Sequence, residues 1–244
     1  MEITTRHTPS FGVARLALGS GESVRVEAGA MMAMSAGVVL EAKAEGGIMK
    51  SLKRAALGGE SFFVTTYTAP QQGGFVDVAP RLPGDLTSFN CDANSSWVIQ
   101  KGSWIASEGG ITIDAKWGGF QNLFGSEGGF VIRGSGQGKI VIGCYGALEA
   151  WDLTPNEVLT VDTGHMVAYQ DTVRMQLRKA AGGLANTFKS GEGLVFDFAG
   201  PGRVYTQTRN PNELISWLTS ALPSTGGGSN TAAGSLMGGL LGRD

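Results

Sequence analysis

The sequence predicts an all-β protein: three tandem β repeats in a pseudo-threefold, double-stranded β-helix or barrel-like arrangement, with short inserts and a C-terminal helix. Three observations carry that expectation. Glycine supplies 39 of 244 residues, more than twice the usual ~7%. Proline supplies only 8, so the glycines read as turns and bulges between short strands and not as disorder. Apolar and polar residues alternate in "SVRVEAG", "GITIDAKW", "EVLTVDTG" and "GRVYTQT", the period of a half-buried strand. One block also recurs three times in register.

That block runs "VRVEAGAMMAMSAGVVLEA" over residues 24–42, "VIQKGSWIASEGGITIDA" over 98–115 and "TVDTGHMVAYQDTVRMQL" over 160–177. Gly29, Gly102 and Gly164 align without a gap, followed by Met31, Trp104 and Met166, then Ala33, Ala106 and Ala168, then Val38, Ile111 and Val173. A G-x-[MW]-x-A core with apolar flanks at fixed register is the signature of an internal repeat.

The elements follow in order. "FGVARLALGSGES" is a lead-in strand, and the first repeat covers about 20–80. The linker "APRLPGDLTSF", 79–89, carries the turn residues Pro80, Pro83 and Gly84. The second repeat covers about 93–150 and the third about 155–208. Within the repeats sit three variable inserts, "GGIMKSLKRAALGG", "KWGGFQNLFG" and "RKAAGGLANTFKSG". In the first, Ile48, Leu52 and Ala55 or Ala56 share a helical face, so it reads as a short amphipathic helix or turn. "NPNELISWLTSAL" opens a helix over 211–222, with Asn210 as N-cap and Pro211 in the first turn. Residues 1–222 thus form one domain, and the Gly- and Ser-rich residues 223–244 a flexible tail.

Several chemistries find no support. Glu60, Glu127 and Glu192 stand in equivalent acid-and-glycine turns ahead of apolar runs. An active-site acid has little reason to recur in every repeat, whereas a turn does. "GSGQGK", 134–139, lacks the spacing of a phosphate-binding loop, because Arg133 stands where the first glycine belongs and Ile140 follows Lys139. His7 and His165 are the two histidines, too few for a cupin-type metal cluster. Asp162 and His165 lie close, but their counterparts are Glu27 with Ala30, and Lys101 with Ser103, so the pair reads as a variable strand end. Cys91 and Cys144 stand far apart with no metal spacing and read as small buried apolar residues, with a disulfide left open. No catalytic, metal or cofactor-binding residue is expected.

Charge is nearly balanced, 19 basic against 21 acidic residues, which argues against holding DNA by bulk charge and makes RNA a weak prospect. Two basic clusters stand out as candidate contacts for an anion or partner: Lys50, Lys53 and Arg54, and Arg174, Arg178 and Lys179. Trp117, Phe120 and Phe124 add aromatic side chains in the second insert. The opening "MEITTRHTPSFGVARL" has no apolar leader, and no run reaches the ~20 apolar residues of a membrane span. A cytoplasmic protein is expected, with a position peripheral to the membrane left open.

The motifs "GGESFF…TY", "APRLPGD", "GSWIAS", "LFGSEGGFVIRGSGQGKI" and "GPGRVYTQTR", in this order, resemble those of the altered-inheritance-of-mitochondria family, also labelled mitochondrial biogenesis proteins. The resemblance covers about residues 3–220 and leaves the tail outside. It implies a β-rich fold of the kind grouped with the tryptophan RNA-binding attenuation protein, usually forming rings or trimers. It implies no catalytic set. The expected function is therefore a non-enzymatic, homo-oligomeric β scaffold or interaction protein, a cyclic trimer by first choice. The alternative is a binding module for an anionic ligand, either a membrane surface or single-stranded nucleic acid.

Overall fold

The computed structural model describes residues 1–44, 63–92, 95–114, 131–180 and 193–222. The chain divides into two units, Met1–Asn210 and Pro211–Asp244. In the second, α1 (Pro211–Ala221) is the helix expected from the Asn-Pro start, with Glu213 in its first turn.

The first unit is all β. A strand absent from the sequence expectation, β1 (Glu2–Arg6), comes first. A first group follows: β2 (Val13–Leu18), β3 (Ser23–Glu27), β4 (Met31–Met34), β5 (Val39–Ala44), β6 (Phe63–Thr68) and β7 (Gly74–Val78). The second group is β8 (Leu86–Cys91), β9 (Trp97–Gln100), β10 (Trp104–Glu108), β11 (Ile111–Asp114), β12 (Val131–Gly136) and β13 (Gly138–Gly143). The third is β14 (Leu148–Leu153), β15 (Val158–Asp162), β16 (Met166–Gln170), β17 (Arg174–Lys179), β18 (Leu194–Ala199) and β19 (Gly202–Gln207).

The pairing rule is the same in each group. The last strand pairs with the first and third, as in β7 with β2 and β4, β13 with β8 and β10, and β19 with β14 and β16. The fifth pairs with the second and fourth, as in β6 with β3 and β5. The groups are then joined across sheets: β3 pairs with β10, and β9 with β16. Among the described residues this gives four open sheets and no closed barrel. Their orders are β1-β2-β7-β4, β5-β6-β3-β10-β13-β8, β11-β12-β9-β16-β19-β14 and β15-β18-β17.

Three apolar cores separate these sheets in sequence. The first joins Leu16, Val76 and Val78 of the first sheet to Val24, Val26, Ile105 and Val141 of the second. The next joins Trp104, Ile140 and Ile142 to Ile99, Ala168 and Tyr205 of the third sheet. The last joins Val98, Tyr169 and Val204 to Val161, Phe196 and Phe198 of the fourth. The two six-stranded sheets therefore each contribute to two cores, and the outer two to one.

The recurring G-x-[MW]-x-A block marks a β-bulge. Register shifts between Met31 and Ala33, between Trp104 and Ala106, and between Met166 and Ala168. The extra residue breaks the alternation, so Trp104 faces one core while Ile105 and Ala106 both face the other. The three glycines answer different local needs. Gly29 has φ +89, and a Cβ on Gly164 would meet the Asn210 side chain at 2.2 Å, while Gly102 meets nothing within 4 Å.

The linker reading of residues 79–89 stops at Leu86, where β8 begins. Ahead of it, Gly12 N donates to Gly84 O, Asp85 N to Gly146 O and Gly146 N to Pro83 O. Gly84 lies so close to Cys144 that a Cβ would overlap its carbonyl oxygen, so the "LPGD" turn is a stitch between β2, β8 and the residues after β13. The insert helix over 48–56, the acid turns at Glu60, Glu127 and Glu192, and the tail fall outside the described residues.

Candidate interaction surfaces

On β7, Val76 and Val78 point into the first core, so Asp77 points to the outer face of the first sheet. It is only 2% exposed. Arg15 on the adjacent β2 grips it with Nε–Oδ1 and Nη2–Oδ2 contacts of 2.9 Å each. Arg6 on β1 adds a 2.6 Å contact to Oδ2. These guanidinium groups, Arg15 foremost, outweigh the burial and hold the Asp77 carboxyl down to about 2. The Arg15 guanidinium also lies 3.9 Å from the Phe75 ring centre. Sequence reasoning missed this cluster, and the signal was a lone acid inside the apolar strand "FVDVA".

The outer face of the fourth sheet carries part of one predicted basic cluster. Met175 and Leu177 pack towards the third core, so Arg174 and Arg178 share the opposite face of β17. Arg178 is already engaged by Asp197, at 2.6 Å from Nε to Oδ2 and 3.0 Å from Nη2 to Oδ1. Asp197 also accepts from Thr160 Oγ1 at 2.7 Å. Lys179 is exposed on the alternate side of the strand. The structure thus brings Arg174 and Arg178 together but not Lys179. Lys50, Lys53, Arg54, Trp117, Phe120 and Phe124 lie outside the described residues.

Each of the four sheets ends in two edge strands among the described residues, and two of these, β4 in the first sheet and β15 in the fourth, hold places that are interior in the other groups. Their counterparts are interior. β10 is paired on its second side by β3, and β16 by β9. Burial follows. Ile105 and Val167 are fully buried, yet Met32, at the same place in the bulge, is 53% exposed. Val158 at the start of β15 is 59% exposed. Along β14, Trp151 is 41% exposed, whereas its register counterpart Phe89 on β8 stacks with Tyr205 at 5.7 Å.

Several other chemistry-bearing groups are committed to structure. His165 Nδ1 lies 2.7 Å from Gln207 O, Gln207 Nε2 donates to Gly164 O, and Asp162 Oδ1 accepts from Gly164 N. Cys91 and Cys144 are buried, unpaired thiols. Burial raises both, Cys144 to about 11, which keeps them as unreactive thiols at neutral pH. The "GSGQGK" stretch spans the crossing from β12 in the third sheet to β13 in the second, with Gly136 and Gly138 at φ +116 and +148. No cluster of three or more His, Cys, Asp or Glu that could hold a metal occurs among the described residues. No helix among them is long and apolar enough to cross a membrane.

A family model described as mitochondrial biogenesis AIM24 matches residues 3–209. A Streptococcus pyogenes serotype M6 protein, described as uncharacterised, is 25% identical over 236 residues, 92% of each chain. An X-ray crystal structure of a Streptococcus pyogenes protein matches with a TM-score of 0.75 and 22% identity, covering 91% of this chain and 99% of that one. At that identity the likeness shows the fold.

Proposed function

The chain belongs to the mitochondrial biogenesis AIM24 family, and on that premise we propose that it is a non-enzymatic, homo-oligomeric β scaffold built from three repeats of one six-stranded unit. One observation carries this reading. Positions buried at the joins between groups are exposed at the two ends of the same chain, as Met32 is against Ile105 and Val167. Exposed apolar side chains beside an unshared strand edge are a standing invitation to association. Identical copies are the simplest partners, and closed cyclic assemblies are the common outcome, with a trimer as first choice. The commitment of His165, both thiols and the paired carboxylates to structural roles supports a scaffold over a catalyst. The two free thiols suit a reducing compartment such as the cytoplasm. Light scattering at micromolar concentration tests the proposal. A mass several times the monomer's 25.4 kDa is expected, and a monomer mass unchanged on concentrating would overturn it.

Binding of an anionic membrane surface or single-stranded nucleic acid draws less support. Arg178 already has Asp197 as its counter-ion, and Arg174 and Lys179 lie on opposite sides of β17. Association with anionic vesicles that fails at high salt and in Arg174→Ala would favour this alternative.

A further inference from the structure

Each group of six strands is entered and left at one corner, and the corner of the first group stands open where the other two are shut. Ala14 and Val78 are paired at that corner of the first group, Thr87 and Ile142 in the second, and Glu149 and Thr206 in the third. The block residues Met31, Trp104 and Met166 pair with Val78, Ile142 and Thr206, which fixes the equivalence. Three residues before Ala14, Thr87 and Glu149 stand Phe11, Gly84 and Gly146. Two residues after Val78, Ile142 and Thr206 stand Pro80, Cys144 and Thr208.

In the second and third groups these positions close on each other. Cys144 N donates to Asp85 O and Thr208 N to Ala147 O, each at 3.0 Å. The backbones approach so nearly that a Cβ on Gly84 would overlap the Cys144 carbonyl oxygen, and one on Gly146 would come to 2.5 Å from Thr208 Oγ1. The first group can meet neither condition. Pro80 has no N–H to donate, and Phe11 carries a ring where the closed corners tolerate no side chain. The departing chain stands off, and a cleft of about 250 Å³ opens between Phe11 and the stretch Pro80, Leu82 and Pro83. Phe11, 69% exposed, is fixed as a wall of the cleft because its N donates to His7 O and the next residue, Gly12, donates to Gly84 O.

We propose that this cleft binds a small monoanion with an apolar body and one carboxylate, such as a medium-chain fatty acid. The phenyl, prolyl and leucyl walls suit the body, since concave apolar surface left bare is the usual mark of a ligand site. Arg81 also lines the cleft. Its Nη2 donates to Ala28 O at 3.2 Å, and among the described residues no carboxylate pairs with it. One planar guanidinium matches one carboxylate through parallel N–H donors, whereas a doubly charged phosphate would keep half its charge unmatched. The volume falls below the ~300 Å³ at which clefts begin to hold larger ligands, so the body must be short. The site lies within a single chain and does not depend on the scaffold reading.

Equilibrium dialysis of the full chain against octanoate tests this, with octanol as the uncharged match and acetate as the match without a body. Octanoate should bind saturably, one per chain, and the other two should bind more weakly by about tenfold or more. Arg81→Gln should bring octanoate down to the level of octanol and leave octanol unchanged. Phe11→Gly/Pro80→Ala restores the glycine and the N–H of the closed corners. It should abolish binding of both while circular dichroism stays that of the wild type. Absence of saturable octanoate binding at millimolar concentration would overturn the proposal. So would octanoate binding that survives in both variants, because the site would then lie elsewhere. Octanol binding as tight as that of octanoate would overturn the carboxylate assignment. Should Phe11→Gly/Pro80→Ala fail to fold, Arg81→Gln alone decides.

Discussion

At the join between the first and second groups, Val26 and Ala106 oppose each other with no exposed surface, and Ile105 beside them is 1% exposed. At the free edge of β4 the same bulged strand carries the same residue types, Met32 and Ala33 for Ile105 and Ala106, but Met32 stands open. What differs is not the side chains but whether a neighbouring strand is present. The free end is also modified for exposure at one position. Where the interior joins use Val141 and Tyr205, the end uses Asp77, clamped by two arginines. A buried residue that needs a neighbour has been replaced there by one satisfied within its own sheet.

The sharpest way to break this comparison is to cut the same position in both settings. Ile105→Ala should cost about 3 kcal/mol by urea unfolding, from lost burial and an unfilled cavity. Met32→Ala should cost less than about 0.5 kcal/mol in dilute solution. The gap should narrow as protein concentration rises and the edge is covered. Equal costs at high dilution would mean that the two positions are not alike.

Asp77→Asn comes next. Removing the charge leaves two guanidinium groups without their acceptor at a nearly buried site, and about 2 kcal/mol of stability should be lost at neutral pH. The folded carboxyl sits near 2 and the unfolded one near its ordinary 3.8. The unfolded chain therefore takes up the proton first on acidification. The advantage over the variant is whole above about pH 4 and fades as pH falls towards 2. Urea midpoints across that range check it, and a gap that persists at pH 2 would contradict the clamp.

The smallest effect should come from Asp152→Asn. Arg203 grips Asp152 with contacts of 2.6 and 2.5 Å, but both side chains face solvent. Such an exposed pair contributes little and is screened by salt. A loss as large as that of Asp77→Asn would show that geometry outweighs burial here.

Much of the local architecture was legible because it is local. Alternation marked strands such as β3, β11, β15 and β19, and the G-x-[MW]-x-A block marked the bulged strands β4, β10 and β16. The exchange of strands between groups was not legible. That β3 pairs with β10 and not with its own group's edge is a contact between distant residues, and no periodicity records it. β1 escaped because "EITTR" lies at a sheet edge and offers one apolar residue, Ile3, to the core. β8 was hidden behind the Pro and Gly residues of its stitch. Of the candidate contacts, sequence spacing put Arg174, Arg178 and Lys179 together, but strand alternation sends Lys179 to the other side. Asp77 drew no notice because a satisfied buried acid needs two arginines from strands that the sequence does not show to be neighbours.

The shared sheets also set a timetable. As the chain leaves the ribosome, β3 is finished well before β10 exists, and its open edge waits for the next group. At about 5–20 residues per second, that delay is roughly 4–15 s. The edge of β9 then waits in turn for β16. Each wait is a period in which a growing chain offers an unpaired strand to whatever is near, including a sibling chain on the same message. The edge of β15 meets no later group among the described residues, so this timetable sets no end to its exposure.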